Sequence, residues 1–159
     1  FFERLEAELA RSRRHGNPLS LMMVDVDHFK TINDRHGHQV GDVVLADIAT
    51  GLRDTLRTAD VVARYGGEEF SIILPETGLE EATRTAARVR AAIAAHRFPV
   101  AAGAVQVTVS VGVACMQPEE AADQLVFRAD AALLDAKRSG RDRVTLAAPA
   151  PDVAAAPAL

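Results

Sequence analysis

An α+β domain, with a central and mainly antiparallel five-stranded sheet flanked by helices in the order β-α-α-β-β-α-β-α-β, is the fold this chain predicts. Three observations predict it. Leu19-Ser20-Leu21-Met22-Met23-Val24 is apolar on both faces apart from one serine, as a central strand covered on two sides must be. Gly66-Gly67 separates two strand-like runs, Val61 to Tyr65 and Ser71 to Leu74, and a pair of glycines supplies the positive φ of a tight hairpin turn. Val105, Val107, Val109, Val111 and Val113 alternate with smaller or polar residues, which predicts one long strand with a single core face.

The remaining elements follow in order. Phe1, Phe2, Leu5 and Leu9 form one apolar helical face, with basic residues near its end and Gly16 as its stop. After the buried strand Leu19 to Val26, Asp27 caps a short helix to about Asp34. Val40, Val44, Ile48 and Leu52 line a longer helix ending near Leu56. Beyond the hairpin, Thr77-x-x-Glu80 reads as a capping box for a helix whose apolar face is Leu79, Ala82, Ala86, Val89 and Ile93. Phe98 to Ala101 pairs with the start of the valine strand through the turn Ala102-Gly103-Ala104. Leu125, Ala129, Ala132, Leu133 and Ala136 mark the last helix, ended by Gly140, and Val144 to Leu146 closes the sheet. There is no internal repeat.

A chain of 159 residues is long enough for one domain with a sizeable core, expected over residues 1–146, followed by an Ala/Pro-rich flexible tail over 147–159. Its formal charge of −4 argues against a nucleic-acid partner, which calls for a basic excess. A single cysteine, Cys115, excludes an intramolecular disulfide and fits a reducing, cytoplasmic setting. No apolar run approaches the ~20 residues of a membrane helix. The chain starts at Phe1 without an initiator Met or a signal-peptide pattern, and reads as a piece of a longer protein.

Two acidic clusters carry the chemistry. The buried strand runs straight into Asp25-Val26-Asp27, whose acids share a face by the two-residue strand period. The hairpin carries Glu68 and Glu69, adjacent carboxylates whose mutual repulsion calls for a positive partner. Few oxygen ligands, with room left for phosphate oxygens, favour Mg2+ or Mn2+. A calcium-binding EF-hand is excluded, because Phe29 stands where a third oxygen ligand belongs and Lys30 where glycine belongs. His36 and His38 have no companion cysteine or histidine pair for zinc. Neither a phosphate-binding Gly-x-x-x-x-Gly-Lys-Ser/Thr loop nor a nucleophile-elbow motif is present.

Taken in order, Asp25-Val26-Asp27-His28-Phe29-Lys30-Thr31-Ile32-Asn33-Asp34, Gly37-His38-Gln39-Val40-Gly41-Asp42 and Arg64-Tyr65-Gly66-Gly67-Glu68-Glu69-Phe70 resemble the GGDEF family of diguanylate cyclases. Thr108 to Ala114 and Ala129 to Arg141 extend the resemblance to about Leu146. It implies a fold like those of nucleotidyl cyclases and polymerase palm domains. It implies an enzyme that condenses two GTP into cyclic di-GMP and pyrophosphate at a homodimer interface, with an upstream sensory or receiver domain in the parent protein.

Carried over position by position, the resemblance makes Asp25, Glu68 and Glu69, with the Val26 carbonyl, the metal site, and Glu68, Glu69 and Lys30 the catalytic residues. Asn33 and Asp42 fall on the guanine-binding positions; Phe29, Lys30, Gly67, Lys137 and Arg141 contact the rest of the substrate, and chiefly its phosphates. Arg57, Asp60 and Arg88 match a product-inhibition site in which arginine forks grip guanine edges and phosphates.

Plainer readings stand beside these. Turn acids are often merely solvated, Asn33 can close a helix and Asp42 cap the next, and basic residues at a helix C-terminus complement its dipole. Departures from the family pattern are Glu68 in place of aspartate, Leu134 where tyrosine is frequent and Asp142 where asparagine is frequent. The Asp-x-Leu-Thr-x-Leu-x-Asn-Arg-Arg stretch with which the family usually begins does not precede Phe1, so this piece alone is expected to be weakly active or badly dimerised. The alternative reading is a catalytically silent receptor for cyclic di-GMP or GTP, against which the intact Asp25, Glu68 and Glu69 argue. A plain dimerisation module rests only on the amphipathic first helix.

Overall fold

The computed structural model describes residues 1–100 and 103–148. Helix α1 (Phe2–His15) leads into strand β1 (Leu19–Val26), then helices α2 (Phe29–His36) and α3 (His38–Thr55). Strands β2 (Val61–Arg64) and β3 (Glu69–Pro75) precede helix α4 (Leu79–Ala95) and the short strands β4 (Phe98–Val100) and β5 (Gly103–Val105). Strand β6 (Val109–Cys115), helix α5 (Ala122–Arg138) and strand β7 (Val144–Leu146) complete the order.

The main sheet is five-stranded, ordered β2-β3-β1-β6-β7, with β1 antiparallel to both neighbours and β7 parallel to β6. Every residue of β1 is buried, which is why its apolar run has no polar face. Met22, Val24 and Val26 enter a core with Val44, Ile48 and Leu52 of α3 and Ala82, Ala86 and Val89 of α4. Leu19, Leu21 and Met23 face Leu5 and Leu9 of α1 and Leu125, Ala129 and Leu133 of α5. Each buried Val, Leu, Ile or Met of this strand contributes about 1.5–3 kcal/mol, which anchors β1 between the two cores. Helix α5 lies directly on β6 at Gly112, where a Cβ would sit 2.1 Å from the Ala129 carbonyl oxygen and 2.3 Å from the Leu133 nitrogen.

Gly16 ends α1 in the left-handed region (φ 69°), as expected of a helix stop. Other local expectations are corrected. The valine stripe is not one strand. β5 pairs with β4 in a separate two-stranded sheet, and Gln106, Val107 and Thr108 lie outside both strands. Gln106 donates to the Ala94 carbonyl and the Thr108 carbonyl accepts from the Asp27 amide, so this stretch serves other elements while Val107 stays buried. Ala101 and Ala102, expected in the strand and its turn, fall outside the described residues.

Neither expected cap forms. The N-cap of α2 is His28 in the left-handed region (φ 56°), with no side-chain bond, and the Asp27 carboxylate is engaged elsewhere. Helix α4 starts after Gly78, while the Thr77 hydroxyl donates to the Pro75 carbonyl at 2.8 Å and its own carbonyl accepts from Ser20. Glu80, freed from a capping box, pairs with Arg84 one turn on. Of the expected tail, Ala147 still donates to Val113 at 2.7 Å, and residues 149–159 lie outside the described residues.

Candidate active site

The signature hairpin is held by its own arginine. Arg64, the last residue of β2, donates to the carbonyl of Gly66 at 3.2 Å and to that of Gly67 at 2.6 Å. The Glu69 carbonyl in turn accepts from Tyr65 at 2.8 Å and Gly66 at 3.2 Å. Neither glycine has positive φ, so the expected conformational reason for them is wrong. Gly66 leaves room beside Glu69 instead: a Cβ there would lie 2.7 Å from Glu69 Oε2, so the carboxylate would have to swing away. At Gly67 a Cβ would meet nothing within 4 Å, so the backbone is bare to approach from outside. The rings of Phe1 and Tyr65 meet edge to face at 5.5 Å, tying the start of α1 to this turn.

Strand pairing brings the two acidic clusters together. Asp25 is directly opposite Glu69 in the β1–β3 ladder, and the Val26 amide donates to the Glu68 carbonyl at 3.2 Å. Lys137, in the last turn of α5, places its Nζ 2.7 Å from Asp25 Oδ2 and 3.9 Å from Glu69 Oε1. Burial pushes the Asp25 carboxyl above its ordinary value, against the opposing pull of Lys137, with Asp27 adding to the rise. The Glu68 carboxyl is raised by burial and then by the charges of Asp25 and Glu69, with Lys137 again opposing. Asp25 and Glu69 thus share the Lys137 ammonium, whose charge also acts on Glu68, and Arg141 adds a second positive field at Asp25.

Among the described residues, no three His, Cys, Asp or Glu side chains are gathered closely enough to hold a metal by themselves. The expected set of Asp25, Glu68, Glu69 and the Val26 carbonyl is therefore not drawn together as a three-carboxylate cage, and a divalent ion there would have to draw on backbone and substrate oxygens as well. The raised Asp25 and Glu68 carboxyls fit such an ion, because added positive charge favours the ionised forms that burial disfavours.

Asp27 has a different task from the one its spacing suggested. It is 4% exposed, and its carboxylate accepts from Thr108 Oγ1 and Ser110 Oγ, each at 2.7 Å, and from the Asp142 amide at 3.0 Å. Those three bonds lock β1 to β6 and to the loop after α5. The strand period alone could not distinguish this hub from a ligand.

The other expected substrate residues lie on α2, on α3 and in the loop after α5. Phe29 is buried and Lys30 exposed at the start of α2, whose first amides have no partner within the helix. Arg141 is exposed with φ 62°, its amide bonded to the Ala136 carbonyl at 3.0 Å, and its charge reaches Asp25. Asn33 Oδ1 is buried without a hydrogen-bond partner, an orphaned polar atom aimed at the α2–α3 junction. It would stand 1.9 Å from a Cβ on Gly41, so glycine there is what lets Asn33 approach Asp42's turn of α3. Asp42 is exposed inside that helix and caps nothing. Gly41 lies inside the Gly37 to Asp42 motif, and only the packing reveals its role.

A second basic group lies at the corner between α3 and β2. The Arg57 amide donates to Asp60 Oδ2 at 2.9 Å and Arg88 donates to the Thr55 carbonyl at 3.2 Å. Arg57 also forms an ion pair with Glu81 of α4, a partner that the sequence pattern did not suggest. Burial raises the Asp60 carboxyl; Arg57 and Arg88 lower it and Glu81 raises it further, so all four side chains share one electrostatic neighbourhood.

A family model described as "Diguanylate cyclase, GGDEF domain" matches residues 1–143. Diguanylate cyclase DgcP of Pseudomonas aeruginosa is 49% identical over 145 residues, covering 91% of this chain, and the chain spans 22% of that relative's length. The active GGEEF domain of a diguanylate cyclase from Vibrio cholerae superposes with TM-score 0.86 at 34% identity, over 94% of this chain and 95% of that one. The GGDEF domain of DgcB from Caulobacter crescentus, solved in complex with c-di-GMP, gives TM-score 0.86 at 34% identity over 91% of this chain and 86% of that one. With its ordered acids, its glycine hairpin and its five-stranded sheet, the chain belongs to the GGDEF domain family of diguanylate cyclases.

Proposed function

We propose that this domain joins two GTP molecules into cyclic di-GMP, each of two facing copies holding one nucleotide. The observation that carries the reading is the meeting of Asp25, Glu68 and Glu69 at the rim of the sheet beside Lys137. Each ribose 3′-hydroxyl attacks the α-phosphorus of the opposite GTP, the α–β phosphoanhydride bond breaks, and two pyrophosphates leave for each product formed. One copy holds one half-site, so the reaction needs a homodimer.

Mg2+ or Mn2+, when bound, would supply positive charge that offsets the phosphates and acidifies the attacking hydroxyl. Asp25 and Glu68, with the Val26 carbonyl, would hold it, and Glu69 would add negative charge to the same locus. Lys30, Lys137 and Arg141 draw the triphosphate in, and the amides at Phe29 and Lys30 cradle its far end. Gly67 leaves room for the nucleotide at the hairpin. Asn33 and Asp42 read guanine: a carboxylate accepting from the N1–H and amino group selects against adenine, which lacks that donor pattern. Arg57, Asp60 and Arg88 bind product and restrain turnover. The domain of DgcB crystallised with c-di-GMP and the active Vibrio cholerae domain, with its GGEEF signature, support this reading.

The test is nucleotide analysis after incubating the full-length protein with GTP and Mg2+. Cyclic di-GMP and pyrophosphate in a one-to-two ratio are expected, with activity rising faster than linearly at low protein concentration. No cyclic dinucleotide at any concentration would overturn the proposal.

A further inference from the structure

The ammonium of Lys137 stands where positive charge is most wanted. Its contact with Asp25 Oδ2 is 2.7 Å, within ordinary ion-pair distance, and its reach to Glu69 Oε1 is 3.9 Å. Asp25 is almost fully buried, whereas Lys137 keeps 27% of its side chain exposed on a flexible four-carbon stem. Arg141, three positions past the end of α5, lends its field to the same carboxylate from farther off. One partner is therefore fixed and the other free to swing.

We infer that Lys137 is the resident counter-ion of Asp25 in the nucleotide-free domain, and that it makes divalent-cation binding depend on the simultaneous arrival of a triphosphate. The inference rests on the proposed metal–GTP reading and adds to it an order of events. A cation arriving alone has to displace the Lys137–Asp25 ion pair and leave the lysine only the more distant Glu69 carboxylate. A triphosphate gives that lysine new oxygen acceptors, so its release from Asp25 is compensated. Because coupling between two ligands is reciprocal, the cation improves nucleotide affinity by the same factor by which the nucleotide improves cation affinity. Lys137 thus has two successive partners, the carboxylate first and the phosphates afterwards.

The closing experiment uses Mn2+ alone as the probe, followed by electron paramagnetic resonance on the nucleotide-free full-length protein and its Lys137→Gln, Lys137→Met and Lys137→Arg variants. The two neutral variants are expected to bind Mn2+ about tenfold more tightly than the parent, and the charged Arg variant to stay weak. With a non-hydrolysable GTP analogue present, the parent gains Mn2+ affinity severalfold and the neutral variants gain less. Unchanged or weaker Mn2+ binding in both neutral variants overturns the inference, as does an Arg variant that tightens like Gln. Two neutral side chains of different polarity guard against one misfolded variant. Because the readout needs no turnover, the claims separate: product formation with unaltered Mn2+ affinity sinks only the lysine claim, and absent product with tightened binding sinks only the reaction.

Discussion

The Asp142 amide donates to Asp27 Oδ2 at 3.0 Å, across 115 residues of sequence, and so fastens the loop carrying Arg141 to the strand carrying Asp25. Arg141 and Asp142 are consecutive non-glycine residues with positive φ, 62° and 45°. Such a backbone persists only when its surroundings hold it. Asp27 provides that hold from below, and the Arg90–Asp142 ion pair at 2.6 Å provides it from α4. Replacing Asp27 by Ala removes an acceptor from Thr108, Ser110 and Asp142 at once, for an expected loss of about 2–4 kcal/mol in urea unfolding. Asp27→Asn keeps the shape and is expected to lose less stability while weakening the affinity for a non-hydrolysable GTP analogue. Calorimetry with that analogue showing wild-type affinity in the Asn variant would remove the link between Asp27 and Arg141.

Glu68 offers the opposite balance. Its carboxyl is raised by burial and by the charge of Asp25, so removing it relieves repulsion. Glu68→Ala is expected to melt at or above the parent temperature while turnover drops by about a thousandfold, the scale of losing one electrostatic contact to a transition state. A melting curve and a GTP turnover assay on the same sample check it; normal turnover would refute the metal assignment.

The same acids give a pH dependence. Asp25 and Glu68 have folded-state values above their ordinary 3.8 and 4.5, so the folded state holds their protons longer than the unfolded one. Their ionisation therefore costs stability as pH rises from the ordinary range through the raised values, and below that range the cost is absent. Mg2+ with a GTP analogue is expected to raise the melting temperature more at neutral pH than near pH 4. The double variant Asp25→Asn/Glu68→Gln is expected to lose that difference. Differential scanning fluorimetry with and without the ion measures both.

At the corner where product binding is proposed, Arg57 gives its backbone amide to Asp60 and its guanidinium to Glu81. Arg57→Ala is expected to relieve inhibition by cyclic di-GMP. Glu81→Gln releases the guanidinium from a competing carboxylate, with product affinity expected to rise severalfold and inhibition to deepen. Titration of product against initial rates distinguishes the two directions, and unchanged inhibition in both variants would separate this corner from regulation.

How much of this was visible in the residues varies with range. β1 was legible because burial on both faces leaves no polar position until Asp25, and the helix stop at Gly16 because its left-handed backbone favours glycine. The acids at 25, 68 and 69 were legible as an ordered pattern, and their convergence depended only on the pairing of β1 with β3. What stayed hidden was decided at long range. Asp25 and Asp27 look equivalent by period, and only Thr108, Ser110 and Asp142 distinguish them. The valine alternation runs through Gln106 to Thr108 without a break, although the ladder does not. Gly66 and Gly67 suggested a left-handed turn, yet what Gly66 supplies is clearance for Glu69.

Clearance also sets the last test. A Cβ on Gly41 would fall 1.9 Å from Asn33 Oδ1 and 3.0 Å from the Phe29 ring. Asn33 must therefore move, whereas Phe29 is buried and has little freedom to do so. The buried Oδ1, without a hydrogen-bond partner, is the atom displaced first. Gly41→Ala is thus expected to disturb the α2–α3 junction where guanine recognition is proposed, and to leave the hairpin and Lys137 untouched. The expected result is a several-fold loss of affinity for the GTP analogue with little change for the ATP analogue, since ATP makes no use of the lost contact. Parallel calorimetry with the two nucleotides reads the ratio directly. An equal loss for both would point to general damage around Phe29 and would take Asn33 out of base recognition.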